Sequence, residues 1–223
     1  MATPKKMFSE KKVLDADQII ALYMDFVLTS DQKPKSIYSF CKANQMDEAD
    51  FYVHFGSFEG VKQTIWVKFF ENAHTIIIKD IAYPTYTNKN KLLTLYYTLF
   101  EVLTLNRSYV LYSLKENKEG LKNLRDLTQF RTHFKKFIQT IIEANPDAGF
   151  AKLDKITKPV FSEGAYLQFL FILKFWLEDV SPSFEKTDIV IEKSVNTVVD
   201  LLDTKPLENL IDFGKFLWKE RRM

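Results

Sequence analysis

Six glycines and seven prolines are all that the 223 residues contain, and they fall between long stretches of helical apolar periodicity. A strand-rich fold of this length needs many tight turns, and so few breakers do not supply them. No alternation of apolar and polar residues lasts long enough to make a strand. The chain is therefore expected to be all-α. Apolar residues make up 46% and charged residues 27%, a balance that supports a buried core and argues against disorder.

Other features narrow the class. Cys41 is the single cysteine, so no intramolecular disulfide forms and a reducing compartment fits. The N-terminal lysines Lys5, Lys6, Lys11 and Lys12 are not followed by an apolar core of signal-peptide length. The longest apolar run, near Leu167 to Leu177, is interrupted by Lys174 and reads as too short to span a bilayer. These features predict a cytoplasmic protein.

Helical spacing and capping residues predict three short helices within the first sixty residues. The first starts at Asp17 and carries Ile19, Ile20, Tyr23, Phe26 and Val27. The second is capped by Ser36, with Ile37, Phe40 and Cys41. The third is capped by Asp47, with Phe51, Tyr52 and Phe55. A long fourth helix follows Ser57 and runs towards Ile81. Pro84 and the polar residues after it predict a linker. Further helices are expected over about 91–105, 107–118, 121–144, 161–179, 186–203 and 206–221, separated in the later part by Asn145-Pro146, Lys158-Pro159, Ser181-Pro182 and Lys205-Pro206.

Three short helices feeding a long one is the plan of a helix-turn-helix domain. Residues 17–70 resemble the DNA-binding domain of the TetR family of bacterial repressors. The resemblance rests on Ser36-Ile37, Phe40-Cys41, Met46-Asp47 and the Tyr52-Val53-His54-Phe55 element, which opens into a Ser57-capped fourth helix. It implies a basic arm over residues 1–16, a helix-turn-helix domain over 17–62 and a helical ligand-binding and dimerisation domain over 63–223. It also implies double-stranded operator DNA as a partner, contacted by Lys35, Ser36, Asp47, Glu48, Ala49, Asp50, Tyr52 and His54. The arm is either a further DNA contact or a solvated tail.

Several exposed positions depart from the family pattern. The third helix begins Asp47-Glu48-Ala49-Asp50, whose carboxylates would meet the like charge of phosphate. One acidic side chain can accept from cytosine, but three are a poor start. Phe58 stands where the family places a phosphate-contacting lysine, and Gln45 replaces its turn glycine. Residues 31–60 carry a net charge of −2, whereas a DNA-binding face is normally basic.

In the larger domain the segment Ala165–Leu177 is apolar nearly all round, so both of its sides need cover. The protein's own core covers one side and a second subunit the other, which predicts a homodimer through Phe169, Leu170, Leu173, Trp176, Val195, Val198 and Leu202. The competing reading buries both helices within a monomer. Aromatic residues of the middle helices, namely Tyr96, Phe100, Tyr112, Phe130, Phe134 and Phe137 with His133 beside them, are either packed core or the lining of a pocket for an apolar small molecule. The last helix, Leu207 to Arg222, docks on the protein or, less favourably, rests on a membrane surface through its basic end. TetR-fold lipid-binding proteins of ubiquinone biosynthesis are similar to this alternative in design, and they do not bind DNA.

No phosphate-binding glycine loop, zinc-type spacing or nucleophile motif occurs, and His54, His74 and His133 are far apart. No cofactor, metal or catalytic role is expected. A regulator whose ligand alters the separation of the two third helices on DNA is the leading reading. The alternative is a TetR-fold protein that binds only an apolar molecule or lipid.

Overall fold

The computed structural model describes residues 14–116, 124–144 and 157–202. Among them are nine α-helices and no strand: α1 Ala16–Ser30, α2 Ile37–Ala43, α3 Glu48–His54, α4 Phe58–Ile78, α5 Asn88–Leu105, α6 Arg107–Glu116, α7 Thr128–Ala144, α8 Thr157–Glu178 and α9 Glu185–Leu202. The all-α expectation holds. The basic arm and the last expected helix, 206–221, lie outside the described residues.

Capping chemistry sets the helix ends and corrects several expected boundaries. α1 is capped by Asp15, not Asp17: Asp15 accepts from the Gln18 backbone N–H at 2.8 Å while Gln18 accepts from that of Asp15 at 3.1 Å. This reciprocal pair satisfies two donors that a helix start would otherwise leave open. Asp17 instead pairs with Lys68 of α4 at 2.9 Å. α4 stops at Ile78, short of Ile81, where the Asp80 carboxylate takes the Ala82 N–H at 2.9 Å and the Tyr86 hydroxyl at 2.8 Å. The expected linker is shorter than its polar sequence implied. A 3-10 turn covers Tyr83–Thr85, and Thr87 then caps α5 by accepting from the Asn90 N–H at 3.2 Å. Pro159 does not separate helices either. It sits in the first turn of α8, where a missing N–H costs no hydrogen bond. α8 is consequently 22 residues long. By length and composition Lys158–Glu178 could cross a membrane, yet it buries Phe169, Ile172, Leu173 and Trp176 inside the protein.

The head, α1–α3 with the start of α4, closes on Phe40, which is 1% exposed. Its ring meets those of Tyr23, Phe26, Phe51 and Phe58 edge-on at 5.6 to 6.4 Å. Cys41, Met46 and Phe55 are buried around it, and Ile37 is half-buried. Helices as short as α2 and α3 do not persist alone, so this cluster is what holds them.

α4 leaves the head and packs between α5 and α7. Trp66, fully buried, donates to the Ser113 hydroxyl of α6 at 3.3 Å, and Lys62 pairs with buried Asp126 of the 3-10 turn Arg125–Leu127 at 3.7 Å. On the far side α8 packs against α7, and Glu163 ties them by ion pairs to Arg131 and Lys135. α9 covers α5. Thus the head is anchored to the body through α4 and through the contact of α1 with α6.

Candidate DNA-binding face and ligand cavities

The turn between α2 and α3 is tight because Gln45 adopts a φ of 55°, the left-handed conformation that the family's glycine would take without strain. α3 then presents two faces. Phe51 is fully buried, whereas Ala49, Tyr52, Val53 and His54 face solvent, Val53 being 76% exposed. Asp47 stands exposed at the N-cap without accepting the capping bond, and Glu48 and Asp50 are half-buried. Their charge is felt inside the head. Burial pushes the Cys41 thiol pKa up, and Glu48 and Asp50 raise it further.

Just before α2, Lys35 and Ser36 are exposed. Ser36 also caps the helix, accepting from the Ser39 N–H at 3.1 Å, so its hydroxyl is already engaged. Lys42 lies over the exposed ring of Tyr38 at 5.9 Å. Phe58 turns inward rather than toward a phosphate: its ring stacks on Tyr23 at 5.5 Å and meets Phe51 at 5.7 Å. The expected contact residues, Lys35 to His54, share one end of the molecule.

The expected pocket residues do not share one place. Tyr96, Phe130 and Phe134 are fully buried and pack among Phe70, Tyr166 and Phe169, with the Phe130–Phe169 centroids 4.7 Å apart. The Tyr96 hydroxyl donates to the Ala165 carbonyl at 2.8 Å, and burial raises its pKa well above the ordinary tyrosine value. Phe137 is half-buried against His74, and His133 is exposed beside Phe70. Tyr96, Phe130 and Phe134 are therefore core, with Phe137 and His133 at its edge. The remaining two residues line separate cavities. Tyr112 borders a cleft of about 450 Å³ between α1 and α6, shared with Val27, Leu28, Asp31, Leu111 and Lys115. Phe100 borders a cavity of about 280 Å³ formed by α5, the end of α8 and the start of α9. Sequence reasoning missed both, because each is built where helices distant in the chain meet.

The residues expected at a dimer interface divide in a similar way. Phe169, Leu173, Trp176 and Val195 are fully buried within the single chain, and Trp176 donates to the Thr104 hydroxyl at 3.2 Å. Leu170 and Val198 are half-buried, and the side chain of Leu202 lies outside the described residues. α8 exposes a different stripe: Val160, Leu167 and Phe171, at 69%, 59% and 58%.

Residues 91–217 match the family described as tetracyclin repressor-like, C-terminal domain. The chain belongs to this TetR family. The matched segment starts within α5, so it covers the body of this TetR-family chain and not its head. No curated protein matches the sequence. Among the described residues no cluster of His, Cys, Asp and Glu is placed to hold a metal ion.

Proposed function

We propose that this TetR-family protein is a cytoplasmic, homodimeric transcriptional regulator whose head binds operator DNA and whose body binds a small, largely apolar effector. The supporting observation is the orientation of α3. Its apolar side is consumed by the head cluster, while Ala49, Tyr52, Val53 and His54 stand free on the opposite side. A surface-exposed third helix on a three-helix head is the element that enters a major groove. The proposed division places the head at 17–62 and the effector and dimer domain at 63–223. In a dimer the exposed α8 stripe would meet its copy, and Gly164 on that stripe has open space where a Cβ would stand.

An effector that favours one setting of α4 would change the spacing of the two α3 helices. Lys62–Asp126, Trp66–Ser113 and the hydrogen bond from Gln129 to Gln63 are among the contacts through which the body holds the first turns of α4. The DNA-free alternative is supported by the carboxylates that open α3 and by the inward position of Phe58.

Fluorescence anisotropy of the ligand-free protein on DNA fragments from its own genomic neighbourhood, titrated with salt, tests the reading. Saturable binding to one fragment that weakens steeply with salt is expected, with Tyr52→Ala weakening it. No binding at low salt by an intact dimer would replace this reading with the DNA-free one.

A further inference from the structure

The cavity of about 280 Å³ between α5, the end of α8 and the start of α9 differs in chemistry from the rest of the body. Its walls carry the rings of Tyr97, Phe100, Trp176 and Phe184 and the carboxylates of Glu101 and Asp188, with no lysine or arginine among the lining residues. Glu101 and Asp188 form no ion pair among the described residues. The cavity is small beside typical ligand sites of about 300–1,000 Å³, so its occupant is small as well.

The neighbouring charges leave the site negative. Arg107 lies behind the wall, its guanidinium 4.3 Å from the Trp176 ring centre and 4.5 Å from that of Phe184. It donates to the carbonyls of Trp176 and Leu177 and is faced by Asp179, so it does not neutralise the lining carboxylates. The start of α9, whose free N–H groups would otherwise attract an anion, is already taken up. Asp179 accepts from the Thr187 backbone N–H at 3.0 Å and from its hydroxyl at 2.7 Å. The Tyr97 pKa is raised by burial and then by Glu192 and Asp188, as expected of a site with a negative field.

Aromatic rings beside carboxylates that pair with no described cation suit a cation with an apolar body. The ring faces attract positive charge, and the carboxylates of Glu101 and Asp188 lie beside them on the exposed side of the cavity. A metal ion would need several converging oxygens, whereas this wall is mostly carbon. We propose that this cavity binds a small organic cation, a quaternary ammonium or protonated amine, with its charge held by Glu101 and Asp188 and its apolar part against Tyr97, Phe100 and Phe184. Together with the regulatory reading, on which this role rests, the cation is the effector. Phe184 has φ of 60° and Ser183 of 52°, so the loop that brings the Phe184 ring to the wall holds two side-chain-bearing residues in a costly backbone region.

Calorimetric titration with phenyltrimethylammonium and with its neutral isostere tert-butylbenzene tests the site on the full chain. The cation is expected to bind once per chain, and the isostere roughly tenfold more weakly or worse. Glu101→Gln with Asp188→Asn should remove that preference without lowering the melting temperature, since burial and Asp179 already disfavour the Asp188 charge. Equal binding of the two probes, no binding of the cation, or a preference that survives in the double variant overturns the proposal. DNA binding is read separately. A protein that binds its fragment but not the cation refutes the site alone, and one that binds the cation but no fragment refutes only the regulatory reading.

Discussion

Gln45 turns the chain between α2 and α3 at a φ of 55°, where a residue with a Cβ loses about 1–2 kcal/mol relative to its ordinary conformations. Glycine removes that strain but adds about 0.5–1 kcal/mol of unfolded-state entropy. Gln45→Gly is therefore expected to stabilise the protein by roughly 0.5 kcal/mol, seen as a higher urea midpoint at an unchanged slope. A lower midpoint would mean that the Gln45 side chain supplies more than the geometry indicates. The same scale shows what sequence could and could not disclose. Phe40, Phe51 and Phe55 were legible as core because their spacing repeats along short helices. Phe58 was not: it opens α4 at a position that often faces solvent, and only the packing of Tyr23, Phe40 and Phe51 turns it inward.

Helix ends belong to the next scale, and here sequence spacing was least reliable. Asp15 and Asp17 are equally good caps on paper, and the reciprocal bond with Gln18 decides between them. The α8–α9 connection depends on such a carboxylate throughout. Burial pushes the Asp179 pKa up, but hydrogen bonds from Ser181 and Thr187 outweigh it and bring it from 3.8 to about 2. A carboxyl whose folded pKa lies below its unfolded one stabilises the fold above the unfolded value, and that contribution is lost as pH falls through the folded value. Asp179 should thus cease to contribute between about pH 4 and pH 2. Asp179→Asn, which cannot ionise, should unfold more easily near neutrality and show a shallower loss over that interval. Parallel acid limbs for the two proteins, followed by circular dichroism, would argue against this role.

For the whole molecule the question is which side of α8 a second copy would cover. A segment apolar nearly all round needs cover on both sides, but its periodicity does not distinguish the inward side from the outward one. Packing against α7 assigns Phe169, Leu173 and Trp176 to the chain's own core. Val160, Gly164, Leu167 and Phe171 are left on one stripe, spaced four, three and four residues apart as helix-to-helix contacts require. Three large apolar side chains aligned on solvent are costly in a monomer, since each Leu or Phe left exposed forgoes about 1.5–3 kcal/mol of burial. Leu167→Glu together with Phe171→Glu is expected to place like charges opposite one another across the two-fold axis and leave a folded monomer. Sedimentation velocity should then report one chain rather than two, with helical content and melting of the single chain retained because neither side chain enters its core. Such a monomer should also lose most of its affinity for a two-half-site operator, because the two α3 helices no longer bind as a linked pair. A double variant that still sediments as a dimer would put the interface elsewhere and detach the exposed stripe from assembly.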